Sequence, residues 1–508
     1  MQLILETALL VSYLIPAGIL MLFGMNLYYT LFMFLTRYKV ARREEDRIMS
    51  EFHRHFLSDD LPHVVTQVPL YNEYNVAERV MRAVTQMEYP AGRHTVQILD
   101  DSTDETRNLV DRTAAELRAA GHDIQVIRRP GREGFKAGAL RYGMSQTHAQ
   151  FFAIFDADFV PPQDFLLRTI PVMLVRQDVG IVQARWGHLN AERSMVTRAQ
   201  GIGIDGHFAI EQPARAWNEI FMNFNGTAGL WRRHAIEDAG GWEHDTLTED
   251  MDLSYRAQLA GWRPFFLFDL VVPAELPDNI NAFKVQQFRW AKGSIQTAIK
   301  LLPRVFRSKV SMLAKIEAAF HMTHYVIHPL MVCVAFMALP VLEYTRFRYS
   351  PAVFVVLFTL LIFSTLAPFT TYAVSQALLY ENGWRRLRFL PFLTSLGVGI
   401  AVSNSRAVLE AVFGVQSAFI RTPKKGDKSA QLYVVRLSYE AILEILLGVY
   451  CFTTFFLFMH AHKYLVMPFL FLYAWGFTGV GLLSMFHFFQ ENRCGLPPTE
   501  PTPQTDGT

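Results

Sequence analysis

Residues 151–158 read Phe-Phe-Ala-Ile-Phe-Asp-Ala-Asp, an apolar run that ends on two carboxylates separated by one residue. Five consecutive apolar residues before a polar segment predict a buried strand. Three more short strands are predicted before it, at 64–68, 96–99 and 124–127, with helical segments between them. Strands that alternate with helices predict a mostly parallel α/β sheet, and such sheets bind ligands beyond the carboxyl ends of their strands.

Acidic side chains follow two of these predicted strands. Asp101 follows the second, whereas Asp156 and Asp158 follow the fourth. A pair of carboxylates can hold Mg²⁺ while phosphate oxygens and water complete the coordination shell, and Mn²⁺ suits the same ligands. Asp101 can accept a hydrogen bond from a nucleobase or ribose, or it can be an ordinary helix-capping acid next to Ser102. The sequence therefore predicts a nucleotide and cation site at this edge of the sheet.

Two further segments of the sequence supply a cation and a candidate base. Lys136 belongs to a glycine-rich basic loop, 128–138, of the kind whose backbone approaches a phosphate closely. Asp250 lies at the start of a predicted helix, where its carboxylate can deprotonate an acceptor hydroxyl. Glu249 and Asp252 compete with it for that role.

Gln286, Arg289 and Trp290 form a third candidate element. Their i, i+3, i+4 spacing places them on one face of a helix. Arginine can bind a diphosphate in bidentate fashion, and tryptophan offers a stacking surface for a sugar ring. The alternative is an amphipathic helix at a membrane surface, with Arg and Trp among the lipid headgroups.

Long uncharged segments predict a membrane protein. A helix needs about 20 apolar residues to cross the hydrocarbon core. Five segments are about this long or longer: 7–36, 318–342, 349–380, 445–462 and 464–490. Basic residues crowd the chain after residue 36, so the charge rule places the N-terminus outside and the following segment in the cytosol.

Residues 389–405 are uncharged but only 17 residues long. If this segment crosses the membrane, the basic loop 421–428 lies outside, against the charge rule. If it lies in the interface or re-enters, that loop stays cytosolic. The charge bias favours the second alternative.

Composition excludes several classes. The net charge of +2 over 508 residues is too small for a nucleic-acid binder. The three cysteines lack metal-ligand spacing, so neither a zinc site nor a disulfide framework is predicted. Residues 201–206 match G-x-G-x-x-G, but no strand precedes them, which argues against a dinucleotide site. Interface packing is favoured over metal binding for three histidines on one helix face, His321, His324 and His328.

Taken in order, the motifs resemble those of the processive family-2 glycosyltransferases of the GT-A fold, which include cellulose, hyaluronan and chitin synthases. The resemblance is greatest to the cellulose-synthase-like mannan, glucomannan and glucan synthases, and it covers about 62–290. The segments that carry it are 67–73, 97–104, 136–140, 153–159, 182–186, 224–229, 248–253 and 286–290. Residues 419–424 also look like the gating-loop motif of cellulose synthases.

The resemblance and the residue chemistry together give a candidate site. It comprises Asp250 as the catalytic base; Asp101, Lys136, Asp156 and Arg289 for the nucleotide sugar; Gln286, Trp290 and Glu249 for the acceptor; and Asp156 and Asp158 for Mg²⁺ or Mn²⁺. The implied activity is an inverting β-glycosyltransferase that uses UDP-glucose or GDP-mannose to elongate, and to translocate, a β-linked polysaccharide. Single transfer to a lipid such as ceramide or sterol is the alternative.

The expected architecture is a GT-A domain joined to a multi-pass helical membrane region. Its expected parts are a membrane helix (1–36), a cytosolic linker (37–61), a GT-A domain ending in an interfacial helix (62–307), membrane and interfacial helices (308–490) and a disordered tail (491–508). The expected partners are a nucleotide-sugar donor, a glycan acceptor chain and the lipid bilayer, with no nucleic acid; the oligomeric state is open. We expect a bacterial inner membrane with a cytosolic catalytic domain, or a Golgi membrane in a eukaryote.

Overall fold

A seven-stranded mixed sheet organises the α/β part of the chain. The computed structural model describes residues 2–56, 61–345, 351–416 and 439–493. The strands are β1 (Val64–Leu70), β2 (His94–Asp100), β3 (Ile124–Ile127), β4 (Phe151–Ile154), β5 (Val179–His188), β6 (Gly229–Arg232) and β7 (Arg263–Ala274). Their order is β3-β2-β1-β4-β6-β5-β7, and β6 alone among them runs antiparallel to its neighbours β4 and β5.

Seventeen α-helices accompany these strands in the described residues. Those of the first half are α1 (Gln2–His55), α2 (Tyr74–Thr85), α3 (Thr106–Ala119), α4 (Phe135–Ser145), α5 (Phe165–Val175), α6 (Met195–Gly206), α7 (Gln212–Trp217), α8 (Arg233–Asp238) and α9 (Glu249–Leu259). The others are α10 (Ile280–Arg307), α11 (Met312–Thr323), α12 (Ile327–Thr345), α13 (Pro351–Leu379), α14 (Leu390–Gly399), α15 (Ala401–Val412), α16 (Glu440–His460) and α17 (Met467–Arg493).

Alternating side chains of β1 divide the core into two layers. Val64 and Val68 face one side of the sheet, where they join a buried cluster that includes residues of α2 and α3. Val65 faces the other side, in a cluster with residues of α4, α8 and α9. Helices therefore cover both faces, and the polar ends of the strands are left to form a site.

The four strands predicted from the sequence are present, with β1 and β2 longer than expected. Leu70 pairs with Asp100 and Gln67 pairs with Ile154 in the parallel ladders, so β1, β2 and β4 end along the same edge of the sheet. The prediction lacked β5, β6 and β7. The segment 201–206, which mimics a dinucleotide motif, is helical and belongs to α6.

Within the described residues, five helical segments are long and apolar enough to cross a membrane: Thr7–His55, Met312–Glu343, Phe358–Leu379, Glu440–His460 and Tyr464–Gln490. A sixth span exists if Gly383–Gly399 and Ala401–Val412, which meet at a 41° bend, act as one. Such a bend suits either a broken span or a re-entrant loop, the two alternatives that the sequence left open for 389–405. The predicted fold class, a mostly parallel α/β domain joined to apolar helices of membrane-spanning length, is confirmed.

Helix α1 extends well past the predicted membrane segment. It is helical to His55, so most of the expected linker 37–61 continues the first helix. Its C-terminal half contacts the α/β domain through ion pairs, including Glu44 with Arg176 at 3.3 Å and Arg42 with Asp269. The gating-loop motif 419–424 and the end of the tail, 494–508, lie outside the described residues.

Polar side chains also join the apolar helices to the α/β domain and to one another. The hydroxyl of Tyr255 on α9 lies 2.7 Å from His321 Nδ1 on α11. Asn26 on α1 donates to Glu317 on α11 at 2.6 Å. His328 hydrogen-bonds to the Asn404 amide at 2.9 Å. The histidines of this region thus take part in helix packing, as their spacing suggested.

Candidate active site

One cavity of about 340 Å³ lies at the strand-end edge of the sheet. It is bounded by the segments that follow β1, β2 and β4, by the end of β5, by the start of α9 and by α10. All nine residues predicted from the sequence line it: Asp101, Lys136, Asp156, Asp158, Glu249, Asp250, Gln286, Arg289 and Trp290. Segments separated by up to about 190 positions in the chain therefore converge on a single space.

Asp101 is held by an arginine that the sequence analysis did not single out. Arg129 Nη2 donates to Asp101 Oδ2 at 2.6 Å, and Arg129 Nε donates to Oδ1 at 2.9 Å. Arg129 Nη2 also donates to the carbonyl of Phe135 at 2.7 Å. One guanidinium therefore fixes both the acidic end of β2 and the glycine-rich loop that precedes α4.

Lys136 lies at the start of α4 and contacts Asp156. Its Nζ is 2.5 Å from Asp156 Oδ1 and 2.9 Å from the carbonyl oxygen of Gly226. Burial lowers the pKa of the Lys136 ammonium. The nearby carboxylates, chiefly Asp156 and Glu249, together raise it by a larger amount, so the pKa lies above its ordinary value. The ammonium therefore stays charged beside a carboxylate that remains 36% exposed and is reachable from the cavity.

Asp250 occupies the first turn of α9, as the sequence predicted. Its Oδ1 accepts a hydrogen bond from the Met251 N–H at 2.8 Å. Burial and the neighbouring charge of Glu249 raise the pKa of Asp250 to about 7, while Lys136 opposes the shift. A carboxylate with this pKa is suited to take a proton near neutral pH.

Asp252, one of the two competitors for the role of base, does not reach the cavity. It is fully buried and pairs with Arg256 Nη2 at 2.7 Å and with Lys300 Nζ at 3.0 Å. It therefore has a structural partner on each side, which leaves Glu249 and Asp250 as the acids of this segment that line the cavity.

A second acidic cluster lies near the site. Carboxylate oxygens of Glu243, Asp245 and Asp252 come within 4.8 Å of one another, an arrangement that can hold a metal ion. Lys300 Nζ contacts all three acids, at 2.5, 2.7 and 3.0 Å. The lysine ammonium thus already supplies a positive charge there. Of the three acids, Asp245 lines the same cavity as the candidate metal ligands Asp156 and Asp158.

Helix α10 places Gln286, Arg289 and Trp290 on the cavity wall. A close approach at Gly293 sets its position, because a Cβ at Gly293 would lie 2.6 Å from Thr248 Cγ2. The two elements are also tied by the Leu247 N–H donating to Gln296 Oε1 at 3.0 Å. Since Thr248 directly precedes Glu249 and Asp250, this contact holds α10 close to the candidate base. The cavity location of all three residues favours the binding interpretation over a headgroup anchor.

Comparison with known proteins assigns the α/β part of the chain. Residues 62–293 match the protein family described as "Glycosyltransferase like family 2". This segment is a family-2 glycosyltransferase domain. It encloses the sheet and all nine cavity residues described above, from Asp101 to Trp290.

Two curated relatives of the glycosyltransferase domain come from plants. The chain is 40% identical over 284 residues to probable glucomannan 4-beta-mannosyltransferase 7 of Oryza sativa subsp. japonica, covering 54% of this chain and 48% of the relative. It is 42% identical over 256 residues to glucomannan 4-beta-mannosyltransferase 1 of Cyamopsis tetragonoloba, and this match covers 50% of this chain and 49% of the relative. The predicted resemblance to glucomannan synthases is confirmed. The chain spans about half the length of the curated relatives it matches.

A solved structure with a similar fold is that of a mannosyltransferase from Pyrobaculum calidifontis, in complex with GDP-Man and Mn²⁺. It is 18% identical, has a TM-score of 0.49, and the match covers 78% of this chain and 100% of that chain.

Proposed function

We propose that the chain is a membrane-embedded, inverting β-glycosyltransferase that elongates a β-linked glycan from a nucleotide sugar. The observation that carries this proposal is the convergence of the nine predicted residues on one cavity within a family-2 glycosyltransferase domain. GDP-mannose is the donor to test first, because the relatives reported above are named as glucomannan 4-beta-mannosyltransferases. UDP-glucose is the second.

Asp250 acts as the general base. Inversion requires a carboxylate on the side of the sugar opposite the leaving group, where it takes the proton of the attacking hydroxyl. Asp250 has a pKa of about 7 because of burial and Glu249, so the proton it receives is held more firmly than by an ordinary aspartate. Its Oδ1 is oriented by the Met251 N–H, which leaves Oδ2 for the acceptor.

The donor lies along the edge formed by β2 and β4. Asp101, held rigid by Arg129, receives hydrogen bonds from the nucleoside. The ammonium of Lys136 and the guanidinium of Arg289 neutralise the diphosphate, which gathers negative charge as the sugar departs. Asp156 sets the position of Lys136 through the 2.5 Å contact.

Asp156 and Asp158 would hold a divalent cation. Two carboxylates one residue apart, at a strand end and facing a cavity with cationic neighbours, fit a hard ion such as Mg²⁺ or Mn²⁺ that also takes phosphate oxygens. Such an ion supplies charge neutralisation to the leaving diphosphate. The residues of the chain then hold the donor, orient the acceptor and accept its proton.

Gln286, Trp290 and Glu249 receive the end of the acceptor chain. The ring of Trp290 provides an apolar surface for a sugar, and the two polar side chains bind its hydroxyls. Five apolar helices of membrane-spanning length accompany the domain, and we propose that they lead the growing glycan across the bilayer. The apolar helices support an integral membrane location. The relatives reported above are plant proteins and give no support to the bacterial membrane expected from the sequence.

The test is to incubate the purified protein with radiolabelled GDP-mannose and UDP-glucose in parallel, with Mn²⁺, and to size the product. Digestion with β-mannanase and β-glucanase then identifies the polymer. The proposal expects a long, β-linked product from one donor. A product with a single sugar on a lipid would support the lipid glycosyltransferase instead, and absence of transfer from either donor would contradict both.

A further inference from the structure

A short helix rich in arginine and aromatic residues follows α13, outside the cavity and outside the family-2 domain. It spans Gly383–Phe389, reads Gly-Trp-Arg-Arg-Leu-Arg-Phe and has 3₁₀ geometry; we call it the basic helix. It begins shortly after Leu379, where the apolar segment Phe358–Leu379 ends. Glu381 is the only acid between residues 380 and 390. The chain thus places three arginines and a tryptophan at the end of a candidate membrane span.

The basic helix is held firmly at the end of α13. A Cβ atom at Gly383 would clash with the carbonyl oxygen of Gln376, so only a residue without a side chain fits there. The same end of α13 is bonded to α6, because Asp205 accepts from the Gln376 amide at 2.9 Å and from the Tyr380 hydroxyl at 3.0 Å. Since α6 belongs to the family-2 domain, the basic helix lies at the end of the apolar helices that meets this domain.

One face of the basic helix is turned towards the protein. Side chains three positions apart eclipse one another in a 3₁₀ helix, so Arg386 and Phe389 share a face. The Arg386 guanidinium lies 4.0 Å from the centre of the Tyr380 ring, and the Arg198 guanidinium of α6 lies 5.3 Å from the centre of the Phe389 ring. These contacts fix the rotation of the basic helix and therefore the direction of its other two faces.

The second face is apolar and includes an exposed aromatic ring. It consists of Trp384, which is 66% exposed, and Leu387, which is partly buried. Tryptophan is enriched at the headgroup level of a bilayer, where its ring lies among apolar groups and its N–H reaches polar ones. A bilayer surface at the end of the span therefore accounts for a large apolar side chain in this position.

The third face carries two unpaired cations. Arg385 and Arg388 are exposed, share a face by the same three-residue spacing, and form no ion pair with any residue that the structure describes. Their guanidinium groups lie 5.4 Å from the Trp384 ring centre and 4.8 Å from the Phe389 ring centre. Two guanidinium groups that are not engaged by carboxylates can bind a phosphate together. This cationic face adjoins the apolar face, as headgroups adjoin acyl chains in a lipid.

We propose that the basic helix binds anionic phospholipid in the leaflet that faces the family-2 domain. Arg385 and Arg388 bind the headgroup phosphate, while Trp384 and Leu387 lie against the beginning of the acyl region. The charge rule places this leaflet on the cytosolic side, where anionic lipids are enriched. Because Asp205 joins α13 to α6, the lipid contact also sets the height of the domain above the bilayer. The assignment rests on the proposed function in placing the apolar helices in a membrane.

Brominated lipids, which quench tryptophan fluorescence on contact, test this site in the whole chain reconstituted into vesicles. All vesicles contain phosphatidylcholine with the same share of phosphatidylglycerol, and either the first or the second lipid is brominated. The fluorescence lost in Trp384→Phe isolates the Trp384 signal, and the same subtraction is made in each arginine variant. Phosphatidylglycerol should quench this signal preferentially. Its binding constant relative to phosphatidylcholine should fall about fivefold for each of Arg385→Gln and Arg388→Gln.

The double variant Arg112→Gln, Arg141→Gln is the matched control. These two arginines are exposed on α3 and α4, helices that pack on the sheet, and neither pairs with an acid in the described part of the chain. The control loses as much charge as the double variant of the basic helix but should keep the wild-type lipid preference. Equal quenching by both lipids in the wild-type protein would overturn the site. So would a preference that survives loss of both Arg385 and Arg388, or one that disappears in the control.

This measurement is independent of sugar transfer, because quenching requires neither donor nor acceptor. A lipid preference that depends on Arg385 and Arg388 supports the site even where no sugar is transferred. Sugar transfer by a protein whose Trp384 is quenched equally by both lipids contradicts the site alone and leaves the proposed glycosyltransferase activity in place. Absence of quenching by either lipid would contradict the site together with the proposed membrane location.

Discussion

Gly226 lies directly against the carboxylate of Asp250: a Cβ atom at position 226 would be 2.9 Å from Asp250 Oδ2 and 3.2 Å from Lys136 Nζ. The backbone of Gly226 has a φ of +81°, and its carbonyl oxygen accepts from Lys136. The segment before β6 therefore threads between the candidate base and the lysine that binds Asp156. Because Gly226 has no side chain, the Asp250 carboxylate and the Lys136 ammonium can both stay in place.

Gly226→Ala should lower sugar transfer strongly while the protein still folds. The added methyl pushes Asp250 or Lys136 out of position, and a small displacement of a reacting group costs about 100-fold in rate. Gly92→Ala is the matched control, because Gly92 has a φ of +74° and nothing within 4 Å of an added Cβ. Equal transfer rates for the two variants, measured with GDP-mannose, would show that the contact at 226 is unimportant.

The pH dependence of transfer should report Asp250. The base must be ionised to accept a proton, and its pKa is raised to about 7, so kcat/KM should fall about tenfold per pH unit below pH 7. Glu249 is one cause of the raised pKa, so Glu249→Gln should move this acid limb to lower pH. Glu243→Gln, in the cluster around Lys300, should leave the limb in place. An acid limb that is the same in all three proteins would argue against Asp250 as its origin.

Divalent-cation dependence should follow Asp158 and not the acidic cluster at Lys300. After treatment with EDTA, Asp158→Asn should need about tenfold or more Mn²⁺ for half-maximal transfer, because a ligand carboxylate has been lost. Asp245→Asn should behave like the wild-type protein, since the Asp245 carboxylate pairs with Lys300. Mn²⁺ binding followed by electron paramagnetic resonance gives the same comparison without turnover. The reverse pattern would place the metal in the acidic cluster.

Gly293→Ala should destabilise the domain even though alanine is the better helix former. The new methyl would lie 2.6 Å from Thr248 Cγ2 and 2.8 Å from the Thr248 nitrogen, so α10 must move away from the start of α9. Overpacking of this kind costs about 1–3 kcal/mol. Gly18→Ala in α1 meets nothing within 4 Å and should not destabilise. Thermal unfolding in detergent measures both; a melting temperature that is equal or higher in Gly293→Ala would contradict the contact.

The sequence predicted the donor side of the site well for a physical reason. Strands β1, β2 and β4 are short and almost entirely buried, and each contains a mostly apolar run, so their ends can be located from the sequence. Once the sheet is parallel, residues after those ends must meet at one edge. Asp101, Asp156 and Asp158 follow from this argument, and the cavity contains all three.

The part of the cavity that β5 forms could not be predicted in the same way. β6 has only four residues and runs antiparallel, so periodicity gives too short a signal to place it between β4 and β5. Without that placement, strand prediction does not locate Trp186 and His188, at the end of β5, on the cavity wall. Arg129 was hidden for another reason, since adjacent Arg128 pairs with Asp100 and only the structure separates the two roles.

The most direct test of the central claim, that Asp250 takes the proton of the acceptor in this shared cavity, is sugar transfer by Asp250→Asn. The variant keeps the size of the side chain but removes its ability to accept a proton. Transfer from radiolabelled GDP-mannose should fall about 10²- to 10⁴-fold, while the Kd for GDP-mannose and the thermal stability stay close to wild type. Transfer at the wild-type rate by a folded, donor-binding Asp250→Asn protein would contradict the account.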